Sequence, residues 1–141
     1  MDYLQQLTLH RRELHKIPEV NRELPKTKAY LRSVLDTLDC EITEVMESGL
    51  CAYFDRGRET TTAYRADMDA LPVTEVNTHD YISCHEGNMH ACGHDAHMAM
   101  VLALAQYVDT QKDLPCNVLC VFQPAEETTG GAKEICETGV L

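Results

Sequence analysis

The chain has 141 residues, 44% of them apolar and 25% charged, which is enough for one domain with its own core. A formal net charge of −11 excludes the basic footprint that nucleic-acid binding needs. The imbalance is local: beyond residue 65, Lys112 and Lys133 alone oppose the acids.

Residues 3–16 predict an amphipathic helix, with Leu4, Leu7, Leu14 and Ile17 on one face and Pro18 at its end. Residues 23–38 predict a second helix, with Leu24, Leu31, Val34, Leu35 and Leu38 on one side. The texture then changes. Residues 41–46, 50–55 and 60–66 are short β-branched or alternating runs, and the first two read as a hairpin. Residues 67–93 have no clear period and lead into a His/Cys cluster, as a functional loop does. Residues 95–111 form the clearest helix, with Asp95 as N-cap and Met98, Val101, Leu102, Ala105 and Val108 facing inward. Residues 116–123 carry an unbroken apolar run at 118–122, which predicts a strand covered on both faces. Gly130 and Gly131 then open a last helix through about Glu137. This order predicts an α/β fold, a layered sheet with helices on both faces.

Seven cysteines, an odd number without a disulfide framework, point to a reducing, cytoplasmic setting. The first residues lack the apolar core of a signal peptide, and no apolar run approaches transmembrane length.

The chemistry concentrates in MHACGHDAH at 89–97 and FQPAEE at 122–127. Thiol, imidazole and carboxylate together suit a borderline-soft divalent metal. Cys92 and His94, two apart in an extended segment, would point the same way. Alone, such a pair is more often a buried cysteine beside an incidental histidine. With His85, His90 and His97 nearby and the glutamates downstream, the ligand reading overtakes it. His90, His94 and His97 at helical spacing offer an alternative set. His97 better suits orienting a ligand, and His79 and His85 fall in a polar loop as solvated side chains.

Glu126 and Glu127 follow a buried strand, where α/β sheets place ligand-binding residues. Neighbouring side chains there diverge, so one can face an ion and the other a water. A carboxylate acting as base typically contributes roughly 10²–10⁴-fold. Two solvated loop acids are the commoner fate of such a pair. Asp67 and Asp69, at a predicted strand end, can share a face and support or bind the metal. Turn formation before Pro72 explains them equally well.

HRRELHKIPE at 10–19, YRADMDALP at 64–72, NMHACGHDAHMAM at 88–100 and FQPAEETTGGA at 122–132 resemble, in order, the signatures of the metal-dependent N-acyl-amino-acid amidohydrolases. That group includes hippurate hydrolase, aminoacylase-like enzymes, auxin-conjugate hydrolases and N-acetyldiaminopimelate deacetylase. The resemblance implies a dinuclear metallopeptidase-like catalytic domain. Its two divalent ions would be manganese or zinc, with cobalt or nickel also accepted. It implies Cys92, His94 and Glu127 as metal ligands, Glu126 as general acid/base and Asp69 as the supporting aspartate. Asp67 stands where related dizinc peptidases have a histidine ligand. The implied reaction is hydrolysis of the amide in a small N-acyl amino acid by metal-activated water.

Family members are much longer, with two further histidine ligands and a lid domain used for dimerisation. The resemblance therefore makes residues 1–141 the N-terminal portion of a catalytic domain. It predicts an inactive, self-associating polypeptide when these residues stand alone. The alternative is a non-catalytic metal-binding module with the same three ligands. A thiol enzyme using Cys92 as nucleophile is a third reading, and activity surviving chelation would mark it.

Overall fold

The computed structural model describes residues 2–141. Helix α1 (Tyr3–His15) opens with a capping box: the Asp2 carboxylate accepts the Gln5 amide at 2.8 Å, and the Asp2 amide donates to the Gln5 side chain at 3.1 Å. The expected leucine face is buried only in part: Leu14 is fully buried and Leu7 half-buried, and histidines complete the face. Leu4 is 73% exposed, while His10, Leu14 and His15 are buried. Burial of the histidines is tolerated because each finds partners; His10 meets the Tyr30 hydroxyl at 2.8 Å and Gln106 Oε1 at 3.0 Å.

Helix α2 (Pro25–Leu35) begins on proline, whose missing N–H costs nothing there. Its next two amides, of Lys26 and Thr27, donate to the Glu19 carboxylate at 3.2 and 2.9 Å. The Pro18–Glu19 pair of the first motif thus ends one helix and caps the next.

Strands β1 (Glu41–Val45) and β2 (Gly49–Phe54) form the expected antiparallel hairpin. Strand β3 (Thr61–Asp67), helix α3 (His94–Thr110) and strand β4 (Asn117–Gln123) form a β-α-β unit in which β3 and β4 run parallel. The sheet order is β1-β2-β4-β3, and β4 is buried along its whole length. Alternation sorts its side chains by face. Leu50, Ala52, Phe54, Val118, Cys120 and Phe122 join the larger core under α1, α2 and α3. Cys51, Leu119 and Val121 meet Ile135 of the short helix α4 (Ala132–Glu137) on the other face. Helices therefore cover both sides of a mixed sheet.

Strand β3 is one edge of this sheet, and Thr61 through Arg65 are exposed. Among the described residues, no helix is long and apolar enough to cross a membrane.

The segment 68–93 lacks regular structure but is pinned at several points. A single bridge pairs Leu71 with Met89, and the Ala70 and Cys84 amides donate to the carbonyls of Glu19 and Lys16. His85 and His79, read from sequence as solvated, are both engaged. His85 Nδ1 lies 2.8 Å from the Pro18 carbonyl, and His79 stacks on Tyr81 at 3.8 Å. A polar loop folded back on α1 gives its imidazoles partners that local sequence does not reveal.

Candidate metal centre

The parallel strands β3 and β4 end side by side, with Asp67 opposite Gln123. Backbone amides and helix termini at such strand ends have no ladder to complete, and polar side chains gather there. The segment 68–70 leaves β3 and runs beneath the turn that leaves β4, and Asp69 joins the two. Its carboxylate, 0% exposed, accepts the amides of Glu126 and Glu127 at 2.9 and 3.0 Å. Its carbonyl accepts from His94 Nδ1 at 2.7 Å, and Cys92 Sγ lies 3.8 Å from the same oxygen. One buried aspartate thus fixes both glutamates and the tautomer of His94, leaving Nε2 free to face outward.

Nε2 of His94 lies 3.8 Å from Glu126 Oε2, from Glu127 Oε1 and from Asp67 Oδ2. Cys92, His94 and Glu127 each offer one ligand atom, and the three atoms fall within 4.8 Å of one another. Asp67, His94 and His97 form a second group of the same kind, with His97 Nδ1 3.4 Å from Asp67 Oδ2. His94 belongs to both, but with Nδ1 donating to the Asp69 carbonyl only Nε2 has a lone pair to give, so this imidazole serves one of the two groups at a time.

The electrostatics favour a cation. Burial by itself would lower the pKa of His94, but the Cys92 side chain, the Asp69 carbonyl and the Asp67 carboxylate outweigh it and raise the ring to about 9. Asp67 Oδ1 is buried without a hydrogen-bond partner; Arg65 Nη1 lies 2.9 Å away but is not aligned to donate to it. A thiol, imidazoles and carboxylates gathered at one strand end fit a divalent ion of the borderline class.

Several local expectations differ from the structure. Helix α3 begins at His94, with Gly93 as its N-cap at φ 92°, so Cys92 and His94 meet across a turn rather than along an extended segment. Gly93 supplies the left-handed conformation that the turn needs. Asp95 is not the cap; it is buried and accepts from His15 Nδ1 at 2.7 Å and Arg11 Nε at 3.1 Å. The two glutamates converge instead of diverging. Ala125, at φ 59°, turns the chain sharply, and Asp69 gathers both amides, which brings both side chains over His94. The same turn needs Gly131, where a Cβ would run into the Pro124 carbonyl.

His90 does not join His94 and His97; it is buried elsewhere in the loop, without a partner for either ring nitrogen. The pairing of Asp67 with His97 was missed as a ligand set, although Asp67 and Asp69 at alternate positions on a strand end already placed both on one face.

Comparison with known proteins follows the geometry. Residues 63–141, which contain both strand ends and every side chain named at this centre, match the model of peptidase family M20/M25/M40. An uncharacterized hydrolase of Staphylococcus aureus (strain USA300) is 42% identical over 144 residues, covering 100% of this chain and 38% of its own length. The chain thus spans well under half of the curated relatives it matches. The crystal structure of the Bacillus subtilis YXEP protein, a dinuclear metal-binding peptidase from the M20 family, superposes with a TM-score of 0.92 at 36% identity, over 99% of this chain and 40% of that one. An aminobenzoyl-glutamate utilization protein from Klebsiella pneumoniae shares the fold, with a TM-score of 0.70 at 22% identity over 97% of this chain and 40% of that one. By sequence match over more than half its length, the chain belongs to peptidase family M20/M25/M40.

Proposed function

We propose that this chain supplies the first metal ligands and the proton-moving base of an amidohydrolase that cleaves N-acyl amino acids. The observation that carries the reading is the convergence of three carboxylates, each 3.8 Å from His94 Nε2, beside the Cys92 thiol. Cys92, His94 and Glu127 would hold one ion; Asp67 and His97 would help to seat a second beside it. Manganese and zinc suit this mixed donor set, and cobalt and nickel are compatible with it. A bound divalent ion supplies Lewis acidity and lowers the pKa of bound water towards about 7.

The remaining chemistry belongs to the chain. Glu126, with 39% of its side chain exposed, is open to substrate while its amide is fixed on Asp69. Its carboxylate can accept a proton from the attacking water and pass it to the departing amine nitrogen. Asp69 touches no substrate and acts by holding Glu126, Glu127 and His94 in register.

The chain covers 38% of a curated relative's length, so the kinetic test uses the longest polypeptide that the gene encodes. Glu126→Gln should reduce hydrolysis of N-acetyl and N-benzoyl amino acids by roughly 10²–10⁴-fold with metal content intact. Glu127→Gln should lower metal content. The opposite pattern exchanges the two roles. Metal uptake without hydrolysis by the wild type favours the non-catalytic module.

Two further features accompany the reading. The exposed β3 edge supports a homo-oligomer, testable by light scattering. Seven unpaired thiols accord with a reducing, cytoplasmic setting.

A further inference from the structure

The loop 68–93 and helix α1 enclose a second set of ligand-type side chains, away from the strand ends. His15 Nε2 and His79 Nε2 both face Glu75 Oε1, at 3.1 and 3.3 Å. His15, Glu75 and His79 each offer one ligand atom, all within 4.8 Å of one another. The side chains of His15 and Glu75 are 2% and 4% exposed, and that of His79 is 30% exposed. Nothing in the strand-end chemistry uses these residues.

We propose that His15, Glu75 and His79 form a separate divalent-metal site of the zinc type, with one position open to water. Four ligands at about 2.0–2.1 Å around tetrahedral zinc lie roughly 3.3 Å apart. The two measured nitrogen–oxygen separations have that length. The other nitrogen of His15, Nδ1, donates to Asp95 Oδ2 at 2.7 Å. That is the carboxylate–histidine arrangement that fixes the tautomer of a metal-ligating imidazole and directs Nε2 at the ion.

Glu75 is prepared as an anionic ligand. Burial would raise its carboxyl pKa, but the Asn77 side chain, the Ser83 amide and His15 outweigh burial and hold it down at about 2. Its second oxygen is anchored by the Ser83 amide at 2.6 Å, so Oε1 is the one presented to the histidines. Glu75 and Asp95 together would balance the charge of the ion. His90 borders the cluster, with its ring 3% exposed and centred 6.5 Å from that of His15. The ion would tie α1 to the one long irregular segment, beside the helix that begins with His94.

The test separates the two centres by their donor atoms. The chain is titrated with cobalt(II) alone and with zinc alone. Cobalt bound by Cys92 gives a thiolate-to-metal charge-transfer band; cobalt bound by His15, Glu75 and His79, or beside Asp67 and His97, gives visible ligand-field bands without one. The wild type should show both kinds, and His79→Gln should lose one equivalent of zinc and the matching share of the thiolate-free bands while keeping the charge-transfer band. Equal zinc stoichiometry in wild type and His79→Gln would overturn the proposal, whatever becomes of the Cys92 signal. If circular dichroism shows His79→Gln unfolded, the wild type decides alone. The imidazole nitrogen NMR signals of His15 and His79 must then shift on zinc addition, and unchanged signals would overturn the proposal.

Discussion

The two histidine clusters are made of the same side-chain types, yet they are spaced and sealed differently. Around His94 the carboxylates stand 3.8 Å from Nε2, and Glu126 and Glu127 are 39% and 30% exposed. Around His15 they stand at 2.7 and 3.1 Å, and Asp95 and Glu75 are 1% and 4% exposed. The first is an open cage, suited to an ion that must also admit water and substrate. The second is packed tightly around His15, with both carboxylates buried. Distance and access separate work from support here, since residue types alone do not.

Damage to the buried carboxylates around His15 should cost the fold first, and damage around His94 should cost metal at the strand ends first. Asp95→Ala should have the largest effect, because it strips a buried histidine and Arg11 of their shared acceptor. Removing one partner of a buried ion pair costs about 3–5 kcal/mol. Urea unfolding should register that loss, and a change below about 1 kcal/mol would mean the clamp is dispensable.

Asp69→Ala tests the bridge between support and work. It leaves two amides without their acceptor, at about 1–3 kcal/mol each. The same substitution should weaken metal uptake, because Glu127 and the turn that carries it lose their anchor. Normal metal affinity in a destabilised Asp69→Ala chain would show that the amide contacts hold only the fold.

Cys92→Ala is the converse case. Calorimetry with zinc and manganese should show at least about tenfold weaker binding, corresponding to about 1.4 kcal/mol. Unfolding of the metal-free chain should change by less than about 1 kcal/mol, as for a partly exposed side chain outside the core. Identical binding in wild type and variant would remove Cys92 from the ligand set.

The smallest effect concerns the thiols themselves. Burial pushes Cys51 up to about 11 and Cys120 up to about 12, and burial with nearby aspartates pushes Cys40 up to about 11. A folded pKa raised above the ordinary 9.0 favours the neutral thiol. The associated stability is complete below about pH 9 and declines as pH rises through about 11–12. Alkylation near neutral pH should spare these three and label exposed Cys84 and Cys136 first. Zinc should protect Cys92 selectively; labelling of Cys120 as fast as Cys84 would contradict the buried core.

Much of this was legible in the sequence, because it depends on local rules. The period of 95–111 places Met98, Leu102 and Ala105 inward, and all three are fully buried. The unbroken apolar run at 118–122 belongs to a strand with neighbours on both sides and cores on both faces. The MHACGHDAH and QPAEE segments announce ligand chemistry by composition, and their resemblance to one enzyme group names the family. The failures are equally local in origin. Leu4 has the right period for burial, but in the first turn of α1 it is Tyr3 that meets Tyr107 of α3, and Leu4 is left 73% exposed. Asp95 has the right side chain for a cap, but Gly93 already closes the helix and a distant histidine claims the carboxylate.

By itself, then, the sequence determined which segments are helix or strand and which residue types can bind metal, since periodicity and donor chemistry are properties of neighbours in the chain. Only the tertiary structure decided which donors share a centre. His94 meets Asp67, Glu126 and Glu127, and His15 meets Glu75 and Asp95, across sequence separations that no local pattern encodes. The parallel pairing of β3 with β4 sets the first meeting, and the loop folded over α1 sets the second. Both depend on which surfaces bury one another, and that is fixed only once the whole chain has packed.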